Sequence, residues 1–121
     1  FTYRSGLDAA MEMLALPERP TAIFASNDDM AAGCVAAAHR NDLEVPHDLT
    51  VCGFDDTAFA SNIWPELTTI RQPIRQMAAT ATDLLAQEIR AERASEKARP
   101  RLATLDYELV RRESDAAPPQ G

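Results

Sequence analysis

The chain has 121 residues, 45% hydrophobic and 26% charged, the composition of one soluble globular domain with a core of its own. A net charge of −7 repels phosphate backbones, so direct nucleic-acid contact is not expected of this chain. No apolar run approaches the roughly 20 residues that cross a bilayer, and no membrane role is expected.

Cys34 and Cys52 each sit inside an apolar run, as two buried thiols of a reduced, cytoplasmic protein would. With only two histidines, His39 and His47, and no CxxC or Cys/His cluster, no metal and no cofactor is expected. The chain opens on Phe1 rather than Met, and the expectation is the C-terminal part of something longer.

In chain order, residues 5–16 carry Leu7, Ala10, Met11 and Leu14 at the spacing of an amphipathic helix. Ser5 followed by Asp8 resembles a capping box, and Pro17 and Pro20 stop the helix. "TAIFAS", residues 21–26, predicts a short buried strand. "NDDMAAGCVAAAHRN" then predicts a helix capped by Asn27, with Asp28 and Asp29 in its first turn and Asn41 ending it in the left-handed conformation. "VPHD" turns into a second strand over residues 49–54.

Residues 57–63 predict a short helix, which Trp64-Pro65 breaks, and residues 67–71 a third strand. From residue 74 to 93, Ile74, Met77, Ala78, Ala81, Leu84, Leu85 and Ile89 form a long amphipathic stripe. Residues 94–101 predict a charged loop and residues 102–110 a last strand. "SDAAPPQG" lacks the apolar residues to pack a core, and disorder is expected from residue 115 onward. Helices alternating with strands that lack polar alternation predict the α/β class, a doubly wound, mainly parallel sheet.

In such a sheet the ligand site lies beyond the carboxyl ends of the strands. Asn27-Asp28 follow the first strand and Asp55-Asp56 the second, so parallel strands would bring all four to one edge. Caps alone would account for most of them. A polyol site is the first functional reading, since Asn both donates and accepts and an ionised Asp accepts from two hydroxyls. Phosphoryl transfer of the receiver type is the second. It fits poorly, because the only lysine, Lys97, falls in the charged loop.

"PTAIFASNDDMAAG", "VPHDLTVCGFDDTAFA", "PELTTIRQP" and "LVRRES" together resemble the C-terminal half of the effector-binding region of LacI/GalR-type transcription regulators. The resemblance runs over residues 1–114. It implies one lobe of a periplasmic-binding-protein-like (type I) pair, a non-catalytic sensor with a small-molecule effector, a sugar, held between lobes. Residues 74–105 would belong to the crossover into the other lobe.

By the same resemblance Asn27 and Asp55 contact the effector and Phe1 supplies a stacking aromatic, which suits the C–H face of a sugar. Asp56 would cap the next segment and Asp28 the helix. Asn41 departs from the family's usual Gly. A homodimer is implied through "TAFASNIWP", from Thr57 to Pro65, and through the helix starting at Asn27. Operator DNA would be met only through an N-terminal head that this chain does not include. The alternative is a sugar-binding protein of an ABC transporter with the same fold. His39 and His47 have bland readings, the four methionines read as helix packing, and Arg111-Arg112 as a solvated chain end.

Overall fold

The computed structural model describes residues 1–94 and 102–118. Its elements are α1 (Tyr3–Leu14), β1 (Ala22–Phe24), α2 (Asp28–Arg40), β2 (Thr50–Cys52), α3 (Ala58–Asn62), β3 (Thr69–Arg71), α4 (Ile74–Arg93) and β4 (Glu108–Val110). They fall into two compact units, Phe1–Arg71 with Glu108–Gly121, and Gln72–Tyr107. The charged loop expected at 94–101 lies, after Ala94, outside the described residues.

The α/β class and the mainly parallel sheet are as expected. β1 pairs in parallel with β2, Ile23 opposite Val51, and β3 pairs antiparallel with β4, Ile70 opposite Leu109. A parallel bridge from Cys52 to Thr68 joins the two ladders. The backbone accounting on the far edge of β2 shows how far the pairing runs. The amides of Val51, Gly53 and Asp55 donate in turn to the carbonyls of Ser114, Thr68 and Ile70, each at 2.9 Å. The parallel ladder thus reaches Asp55, three residues beyond the end of β2.

The core of this first unit sits between α1, α2 and the sheet, with Ala10, Ala31, Ala37, Ala38, Leu49, Val51 and Leu67 fully buried. Two glycines set the approach of the helices. A Cβ on Gly33 would fall on the Tyr3 carbonyl and the Leu7 amide of α1, and one on Gly6 would fall on the Met30 backbone. Gly6 lies against Met30, and the Asn41 amide reaches the Met11 sulfur at 3.3 Å. The two helices therefore run in the same sense.

Several expectations change. α1 begins earlier than residue 5, capped reciprocally by Thr2 and Ser5 rather than by Ser5 and Asp8. Asp8 instead pairs with Arg4 at 2.9 Å, one helical turn away. Asn41 is not left-handed (φ −104°); its side chain closes α2 by donating to the Ala37 carbonyl at 2.8 Å, and Asp42 takes the positive φ of 54°. The regular strands are shorter than their apolar runs, three residues each. Beyond 114, where disorder was expected, described residues still bond to the first unit. Ser114 is fully buried, bonded to the Thr68 amide and the Val51 carbonyl, and the Ala116 amide donates to the Thr50 hydroxyl at 3.2 Å.

In the second unit α4 forms over the expected residues. Among the described residues none on it is buried, and Ile74, Met77, Leu85 and Ile89 are all exposed.

Candidate functional site

The loops after β1 and β2 meet at the carboxyl edge of the sheet. The Asp28 amide donates to the Phe54 carbonyl at 3.0 Å, which stitches together the two segments that carry Asn27 and Asp55. Asn27 is the N-cap of α2, its Oδ1 accepting from the Met30 amide at 2.9 Å. The cap was legible in the sequence.

Asp28 has a larger task than the helix cap expected of it. Its carboxylate is wholly buried, accepting from the Thr57 amide and the Thr69 hydroxyl, each at 2.6 Å. Those donors, with the amino end of α2, satisfy a buried charge that would otherwise cost several kcal/mol or more. The carboxylate fills the space beside Gly53, where a Cβ would overlap Oδ1. Gly53 is therefore required by Asp28, and one side chain fixes α2, the loop after β2 and β3 together.

Asp55 and Asp56 both have positive φ, 105° and 53°. A non-glycine residue held there costs about 1–3 kcal/mol, least for Asp and Asn. Asp55 is exposed, and its amide closes the ladder on Ile70. Asp56 turns inward, with a side chain only 9% exposed, and accepts from Arg71 Nε and Arg112 Nη2 at 2.6 Å each. Burial pushes its carboxyl up, but the hydrogen bonds from Arg112 and then Arg71 outweigh this and hold it below the usual carboxylate range. Asp56 is thus no cap; α3 starts at Thr57 without a side-chain cap bond.

The basic pair also differs from expectation. Arg111 is exposed and pairs with Asp115 at 2.7 Å. Arg112 is no solvated chain end. Its side chain is 15% exposed and donates to the Leu67 carbonyl at 2.8 Å as well as to Asp56. Sequence reading missed Asp28, Arg71, Arg112 and Thr69 as the frame of this edge. The one signal was "GFDD" itself, a glycine placed two residues before two acidic ones.

Phe1 lies just ahead of the Thr2 cap of α1 and is 85% exposed. Elsewhere in this unit Phe59 and Trp64 are exposed, and Trp64 stacks on His39 near the end of α2, ring centroids 5.8 Å apart. Cys34 and Cys52 are free thiols; Cys34 is buried, which pushes its pKa up to about 11.

A domain described as periplasmic binding protein-like matches residues 2–114, and the chain belongs to that family. Within it, the relatives are regulators of the LacI type, to part of whose effector-binding region this chain corresponds. It is 42% identical over 89 residues to the ribose operon repressor of Escherichia coli K12, covering 74% of this chain and 27% of the repressor. The solved dimeric Lac repressor with an 11-residue C-terminal deletion is 35% identical, with a TM-score of 0.78, over 97% of this chain and 41% of that one. A LacI family regulator from Enterococcus faecium, solved with bound ribose, is 28% identical, with a TM-score of 0.73, over 96% and 41% of the two chains. The chain thus spans well under half the length of these relatives. They are transcriptional regulators and not enzymes, which removes the receiver-type reading and weighs against the transport protein.

Proposed function

We propose that this chain is the effector-sensing part of a LacI-type transcriptional regulator, with a sugar as effector, and that Asn27, Asp55 and Phe1 line its site. The observation that carries this reading is the juxtaposition of Asn27 and Asp55. Parallel pairing of β1 and β2 puts both at one sheet edge, and the Asp28-to-Phe54 hydrogen bond ties their loops together. Capping engages Asn27 through Oδ1, so its amide nitrogen is the part suited to a ligand oxygen. The exposed Asp55 carboxylate offers acceptors for neighbouring hydroxyls. Phe1 supplies an exposed aromatic ring.

No bond is made or broken in this function. The effector would bind between this lobe, 1–114 with 74–105 as the crossover, and a second one, and shift their relative angle. That shift would change how two operator-binding heads are presented, a coupling between sites. Operator contact falls to another part of a full-length, cytoplasmic regulator, in keeping with the −7 charge here. A homodimer through residues 57–65 and the helix begun by Asn27 is part of the reading. It is supported by exposed Phe59 and Trp64 outside the sheet.

The test is calorimetric titration of the full-length regulator with ribose, sucrose and cellobiose. Asp55→Ala should lose the response to whichever sugar binds, and Asn27→Ala should weaken it and lower the melting temperature. An Asp55→Ala protein that binds as the parent does would overturn the site. For the dimer, light scattering should show dissociation on Trp64→Ala; an unchanged monomer in both proteins would overturn it.

A further inference from the structure

Asp56 stands beside the proposed ligand group, and its own carboxylate is spent inside the protein. Arg71, the last residue of β3, bonds Asp56 through Nε at 2.6 Å and Glu108, the first residue of β4, through Nη1 at 2.8 Å. Arg112, just past the end of β4, bonds the other Asp56 oxygen at 2.6 Å. The chain leaves the first compact unit after Arg71 and rejoins it at Glu108. One ion-pair chain therefore joins the Asp55-Asp56 turn to both strands that carry the crossover.

The turn needs such support. Two consecutive aspartates at positive φ are held open only if their surroundings over-determine them. The ladder supplies one constraint, from the Asp55 amide to the Ile70 carbonyl. The two guanidiniums on Asp56 supply the other, in a setting buried enough for charge-assisted bonds to count. We propose that Asp56, clamped by Arg71 and Arg112, is the positioning residue that sets Asp55 and links it to the two crossover strands. Movement of either strand then reaches Asp55 through a side chain that touches no ligand. The meaning of Asp55 rests on the function proposed above; the clamp itself can be tested without any ligand.

Amide hydrogen exchange by NMR on this chain reads the clamp directly. In Asp56→Asn the Asp55 amide should exchange at least about tenfold faster, while the Ala25 amide, bonded to Cys52 on the opposite edge of β2, should stay within about twofold. Arg71→Gln, at a half-exposed side chain that the core does not need, should give a smaller change of the same kind. Adding it to Asp56→Asn should change Asp55 no further, because Arg71 acts through Asp56. Unchanged exchange at Asp55, equal acceleration at Asp55 and Ala25, or additive effects in the double variant would each overturn the proposal. Should Asp56→Asn fail to fold, Arg71→Gln alone decides between local and uniform acceleration. A chain that meets these expectations yet binds none of the three sugars would sink the ligand reading and leave the clamp standing.

Discussion

α2 and α4 are both amphipathic helices, yet eight of the thirteen residues of α2 are buried and, among the described residues, none of the twenty of α4. The difference lies in side-chain size as much as in pattern. α2 buries Ala31, Ala32, Gly33, Ala37 and Ala38, small groups that let α1 and the sheet come close. α4 offers Ile74, Met77, Leu85 and Ile89, each of which would gain about 1.5–3 kcal/mol on full burial. Periodicity identifies the apolar face of a helix. Whether that face is covered depends on what the rest of the fold brings to it.

The largest loss is expected at Asp28, the one charged residue among those buried on α2. Asp28→Ala leaves the buried Thr69 hydroxyl without its acceptor, at about 1–3 kcal/mol, and the part-buried Thr57 amide too, at a smaller cost. Denaturant unfolding should show that loss, and a change under about 0.5 kcal/mol would mean the carboxylate is not the joint described. Gly33→Ala comes next. In an open helix the change would stabilise by about 1 kcal/mol. Here the added Cβ meets the backbone of α1, so a net loss of about 1–3 kcal/mol is expected. A stabilised Gly33→Ala protein would show that α1 and α2 are not in close contact.

This contrast also marks what was legible in the sequence. The α/β order, the Asn27 cap, the bounds of α4 and the meeting of Asn27 and Asp55 at one edge follow from local signals: periods, caps and strand ends. The roles of Asp28, Asp56 and Arg112 do not. Each pairs with residues 15 to 56 positions away, as Asp56 does with Arg71 and Arg112. From sequence alone, an Asp next to a helix start looks like a cap, and an Arg near a chain end looks solvated. Ser114 shows the same limit: nothing in "RESDAA" announces that its hydroxyl closes a gap between Thr68 and Val51.

Acid should weaken the first unit through the clamp. Asp56 and Asp115 are pushed up by burial but held down more strongly by their arginine partners, Asp115 by Arg111 and the Thr68 hydroxyl. A carboxyl with a depressed folded value contributes stability that is complete above its unfolded value, about 3.9, and is lost as pH falls through the folded value. Melting temperature should therefore be insensitive to these groups from about pH 5 upward and drop below about pH 4. Asp56→Asn should flatten part of that drop. Equal acid sensitivity in the two proteins would remove Asp56 from the account.

The smallest effects belong to α4. Leu85 and Ile89 are 57% and 41% exposed, so truncation removes little buried area from this chain. Leu85→Ala and Ile89→Ala should change its stability by no more than about 0.5 kcal/mol, where truncation in a packed core costs about 2–5. The same face should nonetheless be adhesive, because an uncovered row of large apolar groups associates as concentration rises. Sedimentation of this chain at rising concentration should show association that Leu85→Glu reduces and Asp83→Asn does not, and a crystal should seat a neighbour on this row. A loss of more than about 1 kcal/mol in Leu85→Ala would mean that the row is packed in solution after all. The two helices would then differ only in side-chain size, not in what covers them.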